Sequence, residues 1–248
     1  MTELSVYMSS FNLIATDSLE DCVDLDSMFS RIVLCTRTLG FDYAAFGMQM
    51  PLPLNSPKVV TRNNYGQSWW DTYLKNNYFL VDPVVRHVLV SDTAVLWSDA
   101  FFSSAPAFWE SAKLHGMRYG WTKGTRSESG MISQLSLVRS ERQLSEEELA
   151  AKEPYMKHLA EIAHRKMAAI LVAEQFPESS AELTLKEFEV IRWCADGKTN
   201  VEIALISNVS VSTVNFHMNN ILKKLGASNK THAVMKASRF GWFGRPGS

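Results

Sequence analysis

The stretch TLKEFEVIRWCADGKTNVEIALISNVSVSTVNFHMNNILKKL, residues 184–225, contains three helix starts in close succession. Thr184 and Glu187 stand three apart, the spacing of a capping box, in which a hydroxyl and a carboxylate satisfy N–H groups that a first helical turn leaves without partners. The helix they open carries Phe188, Ile191 and Trp193 and stops at Asp196-Gly197, where glycine can take a left-handed backbone. Thr199 and Glu202 repeat the device ahead of Ile203, Ala204 and Ile206, Asn208-Val209 turns the chain, and Ser210 caps a third helix running to about Leu225. Val214, Met218, Ile221 and Leu225 form its buried stripe, while Ser212, Asn215, Phe216, Asn219 and Lys223 lie on the other face. Two short helices joined by a tight turn, the second showing polar side chains near its N-terminus, match a helix-turn-helix.

Serine and asparagine can reach phosphates or base edges, and asparagine pairs well with adenine. Lys198, Lys223, Lys224 and Lys230 are placed to neutralise phosphates, although the spacing alone also suits a small helical bundle that binds protein. The run Glu187…Gly197-Lys198-Thr199…Glu202-Ile203-Ala204…Ser210-Val-Ser-Thr213-Val214…His217…Lys224-Leu225 resembles the LuxR-type DNA-binding domain over some 60 residues. Ile191, where that family usually has leucine, is a mild departure. The resemblance implies an all-α four-helix unit, its last helix from about Lys230 to Phe240, that binds double-stranded DNA as a homodimer. Lys198, Thr199, Ser212, Thr213, Asn215, Phe216, Asn219 and Lys223 are then the candidate DNA contacts, with Glu187, Ile191 and Gly197 as scaffold.

Outward from this stretch, the 248 residues divide into a basic end and an acidic body. From Ala181 onward there are nine Lys/Arg against five Asp/Glu, whereas residues 1–180 hold 16 and 21. A basic segment on an acidic body suits contact with a polyanion. Pro177 and two serines mark residues 174–182 as a linker between a 1–173 domain and a 183–248 domain. The start lacks a signal-peptide pattern, no apolar run reaches the roughly 18 residues of a membrane span, and three cysteines without a CxxC pair read as free thiols. A cytoplasmic protein without membrane attachment is expected.

Before the linker, Ser145 and Glu148 form another capping box, and Pro154 is expected to break or restart the helix that follows, in which Leu159, Ile162, Ala163, Met167 and Ile170 recur at helical spacing. This helix packs on the domain body and could pair with a second subunit. A helix over about 26–39, strands near 43–50, 59–61 and 131–138, and a loop stiffened by Pro51, Pro53 and Pro57 give no regular βαβ alternation. The fold class expected is α+β: an α/β/α sandwich around an antiparallel sheet, linked to the helical domain.

Five of the seven tryptophans fall between Trp69 and Trp121, with many tyrosines and phenylalanines among them. Such crowding builds either a solid core or an apolar cavity. The ordered set Asn64-Tyr65…Trp69…Tyr73…Asp82-Pro83, Trp97, Phe108-Trp109-Glu110 and His115-Gly116 resembles the acyl-homoserine-lactone-binding domain of quorum-sensing LuxR receptors, and the likeness extends through Asp82–His87 and Ile132–Val138. It implies a sheet flanked by helices with the lactone between them. Asp82 would accept the amide N–H, the Trp69 indole N–H would bond the lactone carbonyl, and Tyr65 and Ser136 would reach the acyl carbonyl. Tyr73, Trp97 and Phe102 complete the expected ligand contacts, the first two as apolar wall.

The implied protein is a lactone-responsive transcriptional regulator acting on a two-fold symmetric promoter site, with no cofactor and no metal. A regulator working without ligand or through mixed dimers is the alternative. An enzyme degrading the lactone finds little support, since the chain lacks a GxSxG elbow and an HxxEH pair, and its six histidines are scattered. The acidic pattern of a phosphorylated receiver domain is also missing.

Overall fold

A computed structural model describes residue 19 and residues 22–244. Its contacts divide the chain into two compact units, one reaching Ile170 without residues 128–130, the other made of residues 128–130 and the chain from Leu171 onward.

The first unit is a three-layer arrangement. Asp24 caps α1 (Leu25–Thr38) by accepting the Asp26 and Ser27 N–H groups. Strands β1 (Tyr43–Gln49), β2 (Val59–Asn63), β3 (Val95–Leu96), β4 (Tyr119–Arg126) and β5 (Ile132–Arg139) form one antiparallel sheet in the order β2-β1-β5-β4-β3. Between β2 and β4 come α2 (Gln67–Lys75), a 3-10 turn (Tyr78–Leu80), α3 (Pro83–Val90) and α4 (Pro106–Leu114). The long helix α5 (Glu146–Gln175) follows β5.

Strand alternation assigns the two faces. On β1, Ala44, Phe46 and Met48 are buried while Ala45, Gly47 and Gln49 are less so. The buried set belongs to the face packed by α1 and α5: α1 contacts β1, Ser133 hydrogen-bonds His164 of α5 at 2.7 Å, and Lys152 of α5 bonds the Leu39 carbonyl after α1. The other face looks toward α2–α4, and α3 packs on β4 and β5.

Two expectations fail on α5. Pro154 neither breaks nor restarts the helix, which runs on through it. One backbone bond is lost there, but burial of Met156, Leu159, Ala160, Ala163 and Met167 just beyond holds the helix to the body. Ser145 does cap the start, accepting the Glu148 N–H, yet Glu148 does not close the box. Its carboxylate takes both Arg139 Nη atoms at 2.9 Å and Lys152 at 2.7 Å, and the Arg139 hydrogen bonds hold its pKa down at about 2. The helix also extends to Gln175, and a 3-10 turn fills Pro177–Ser180, so little of the expected linker segment is irregular.

The second unit contains α6 (Leu185–Ala195), α7 (Asn200–Ile206), α8 (Val211–Lys224) and α9 (Lys230–Arg239). Both expected capping boxes are complete, Thr184 with Glu187 and Thr199 with Glu202, and Ser210 caps α8. Gly197 (φ +81°) ends α6 and Asn208 (φ +53°) makes the α7–α8 turn, the latter a left-handed residue that asparagine tolerates. Ile191, Ile203, Val214, Ile221, Leu225, Ala233 and Ala237 close the core.

Candidate functional site

Between the sheet and α2–α4 the first unit encloses a cavity of about 260 Å³. The aromatic residues do pack on one another: Phe102 stacks on Trp109 at 4.2 Å, and Trp69 lies within 6 Å of Tyr73, Tyr78 and Phe108. They nevertheless leave space against the sheet.

Asp82 lines that space. It caps α3, Oδ1 accepting the Val84 N–H at 2.8 Å, with Pro83 supplying a first helical residue that needs no partner. Oδ2 accepts the Tyr73 hydroxyl at 3.0 Å. No cation is bonded to this carboxylate, so burial pushes its pKa up to about 6 against the pull of those hydrogen bonds. Burial raises the Tyr65 and Tyr73 hydroxyls well above the ordinary phenol value, so both are proton donors at neutral pH. Trp69 is buried and lines the same cavity. An acceptor and several potential donors thus share a cavity whose lining is largely apolar.

Trp97 reaches the same space from a different direction. Its ring lies flat on Gly120 of β4, where a Cβ would stand 2.3 Å from the ring, so only glycine permits the contact. Its indole N–H bonds Thr122 Oγ1 at 3.0 Å, and that oxygen meets Ser136 Oγ at 2.8 Å. Thr122, missed in the sequence, therefore fixes both Trp97 and Ser136. Period-two alternation along β4 is the signal that would have found it, since it stands directly opposite Ser136.

Of the expected ligand contacts, Tyr65, Trp69, Tyr73, Asp82, Trp97 and Ser136 all line the cavity. Phe102 does not: it is buried behind the wall, stacked on Trp109, where it buttresses Trp97. Tyr73 and Trp97 are more than apolar wall, because each uses its polar atom within the site. The apolar lining contributed by α3 (Val84, Val85, Val88, Leu89) was not anticipated.

In the second unit, Ser212, Asn215, Phe216, Asn219 and Lys223 are exposed along one face of α8. Asn215 accepts a hydrogen bond from Asn200 of α7 at 2.7 Å, which orients its amide. Ser212 and Thr213 hydroxyls meet Ser210, and Thr199 is occupied by its own capping box. Lys198 is half-exposed, 4.0 Å from Glu202. Lys224 is internal glue, bonding Glu187 at 2.7 Å and the Glu182 carbonyl, and Lys230 bonds the Lys198 carbonyl.

Residues 24–167 match the family described as autoinducer binding domain, and residues 181–237 match bacterial regulatory proteins, luxR family. The chain belongs to the LuxR family of transcriptional regulators. It is 39% identical to the transcriptional activator protein AnoR of Acinetobacter nosocomialis, covering 87% of this chain and 92% of that one. It is 34% identical to the quorum-sensing regulator RhlR of Pseudomonas aeruginosa, covering 88% and 90%. The crystal structure of Escherichia coli SdiA superposes with a TM-score of 0.75 at 28% identity, over 97% of this chain and 98% of that chain. SdiA in complex with octanoyl-rac-glycerol gives 0.76 at 27% identity, over 100% and 99%. The family consists of transcription factors rather than enzymes, so this LuxR-family protein is a transcriptional regulator with an autoinducer-binding domain and a DNA-binding domain. Among the described residues no helix is long and apolar enough to cross a membrane, and no His, Cys, Asp and Glu cluster is placed to hold a metal ion.

Proposed function

We propose that the cavity binds an N-acyl-homoserine lactone and that the loaded protein, as a cytoplasmic homodimer, engages a two-fold symmetric promoter site through α8. The observation that carries this reading is a buried, cation-free carboxylate, bonded by the Tyr73 hydroxyl, on the lining of a largely apolar cavity that Tyr65 and Trp69 also line. An amide N–H suits the Asp82 acceptor, carbonyls suit the Trp69 and Tyr65 donors, and a hydrocarbon tail suits the rest. A free fatty acid would place a second negative charge beside Asp82. The SdiA complex carries a neutral acyl glycerol, which makes such esters the ligand to compare.

Residues 1–173 then form the ligand-binding and dimerisation domain, 174–182 the linker and 183–248 the DNA-binding domain. On α8, Ser212, Asn215, Phe216 and Asn219 face the groove, while Lys198, Thr199, Thr213 and Lys223 sit against phosphates. The chain expressed with a mixture of acyl-homoserine lactones, an acyl glycerol and a fatty acid should retain a lactone through purification, identified by mass spectrometry. Recovery of only the glycerol ester, or of nothing, overturns the lactone assignment. Asn215→Ala should weaken binding to the specific promoter by about 1–3 kcal/mol relative to random DNA and leave the fold intact; unchanged discrimination removes Asn215 from the readers.

A further inference from the structure

Two independent rulers run along the cavity. Along the sheet, the lining passes from Ala45, opposite Ser136, to Gln49, opposite Ile132 and Val59. That is four residues of register, about 13 Å at the usual strand rise. On the facing wall, α3 starts at Asp82 and its last lining residue is Leu89, seven residues on and about 10 Å away at the helical rise. Strand and helix therefore bound the cavity over comparable lengths, roughly 10–13 Å.

Small residues keep the channel open. Ala45 and Gly47 are the cavity-facing positions in the middle of β1. A Cβ at Gly47 would meet only the flexible Gln134 side chain, at 3.5 Å, so steric pressure from the protein does not require glycine there. The far end is open, since Val59 and Leu89 both line the cavity and are 41% and 42% exposed, with the Gln49 side chain at the same level.

We infer that the channel selects an acyl chain of about ten carbons, because an extended chain of that length spans the roughly 10–13 Å from the Ser136 level to the Val59–Leu89 mouth. Gly47 is the specificity-determining position. The inference rests on the proposed reading of the cavity as the seat of a neutral acyl ligand. Short chains leave the channel part-filled, and chains beyond the mouth gain little because the added carbons return to water.

The test is a binding series of saturated N-acyl-homoserine lactones on the full-length chain and on Gly47→Leu and Gly47→Val. In the wild type the dissociation constant should fall by roughly fourfold per methylene, from about four carbons to about ten, and then level off. Across that range the gain is roughly four thousandfold. Gly47→Leu should bring the levelling point to a shorter chain by about three carbons and leave the shortest lactone bound as in the wild type, with Gly47→Val intermediate. A wild-type optimum at the short end, or an unbroken gain to the longest chain tested, overturns the length assignment while lactone binding itself stands. An unmoved levelling point in both variants overturns the role of Gly47. Failure of every lactone to bind removes the reading of the cavity and this inference with it.

Discussion

The two units each bury a carboxylate at the start of a helix, and they treat it in opposite ways. Glu187 is held in α6 by the Thr184 N–H and the Lys224 ammonium. Desolvation pushes its pKa up, but those partners outweigh it and hold the group below the ordinary value. Asp82 caps α3 with no cation, and desolvation wins, raising its pKa to about 6. Glu187 is 3% exposed and belongs to a closed core, whereas Asp82 is 7% exposed and faces a cavity. A carboxylate completed by its own chain is scaffold. One that lines a cavity and has no cation is, in the proposed reading, a receptor group. The helical unit closes its core with its own side chains, whereas the sheet unit keeps a cavity beside its carboxylate.

Removing the two carboxylates should separate these roles most sharply. Glu187→Ala strands the Lys224 ammonium and a helix N–H and should cost about 2–4 kcal/mol of unfolding free energy. Asp82→Ala loses a cap but also a poorly compensated charge, and should change the stability of the empty protein by about 1 kcal/mol or less. Denaturant unfolding measures both, and equal losses would erase the distinction.

Filling space makes the next contrast. Ala233, fully buried in the helical core, should not accept Leu, and Ala233→Leu should destabilise by about 1–3 kcal/mol. Ala45→Leu adds the same carbons into the cavity and should leave the empty protein no less stable while abolishing its response to ligand. If Ala45→Leu is as damaging as Ala233→Leu, the cavity is not available space.

The smallest effect is the dependence on pH. A ligand amide donating to ionised Asp82 lowers its pKa and releases a proton on binding, so affinity should rise from about pH 5 to about pH 7 and flatten above. For the empty protein the sign reverses: a folded pKa above the unfolded 3.8 means that Asp82 withdraws stability as pH rises through about 6. Calorimetric titration across that interval checks the first statement, with Asp82→Asn as the control; affinity that falls with rising pH contradicts it.

The helical unit was legible nearly residue by residue because its signals are local. Thr184, Thr199 and Ser210 each mark a helix start, Gly197 and Asn208 mark turns, and the Val214–Leu225 stripe marks the buried face. Lys224 was misread as a phosphate contact because its partner Glu187 lies 37 positions away, beyond any local pattern. In the sheet unit, α1 and the strands β1, β2 and β5 were located from the sequence, but β4 with its lysine and glycines (YGWTKGTR) and the short helices α2–α4 carried too little signal. The site was readable as an ordered set of residue types, though not as geometry. That Phe102 lies behind Trp97, and that Tyr73 turns its hydroxyl to Asp82, depends on packing that spacing does not encode. The failure at Pro154 has the same origin, since burial farther along the helix overrode a local penalty.

The most direct test of the central claim, that Asp82 anchors a guest in this cavity, is thermal unfolding of the full chain with and without a long-chain acyl-homoserine lactone, followed in the wild type and in Asp82→Asn. Saturating ligand at about a hundredfold excess over its dissociation constant should add about 2.7 kcal/mol to the wild-type unit that unfolds with the sheet, with a markedly smaller gain in Asp82→Asn and no shift in the helical unit. An identical rise in both proteins, or none in either, would contradict the account.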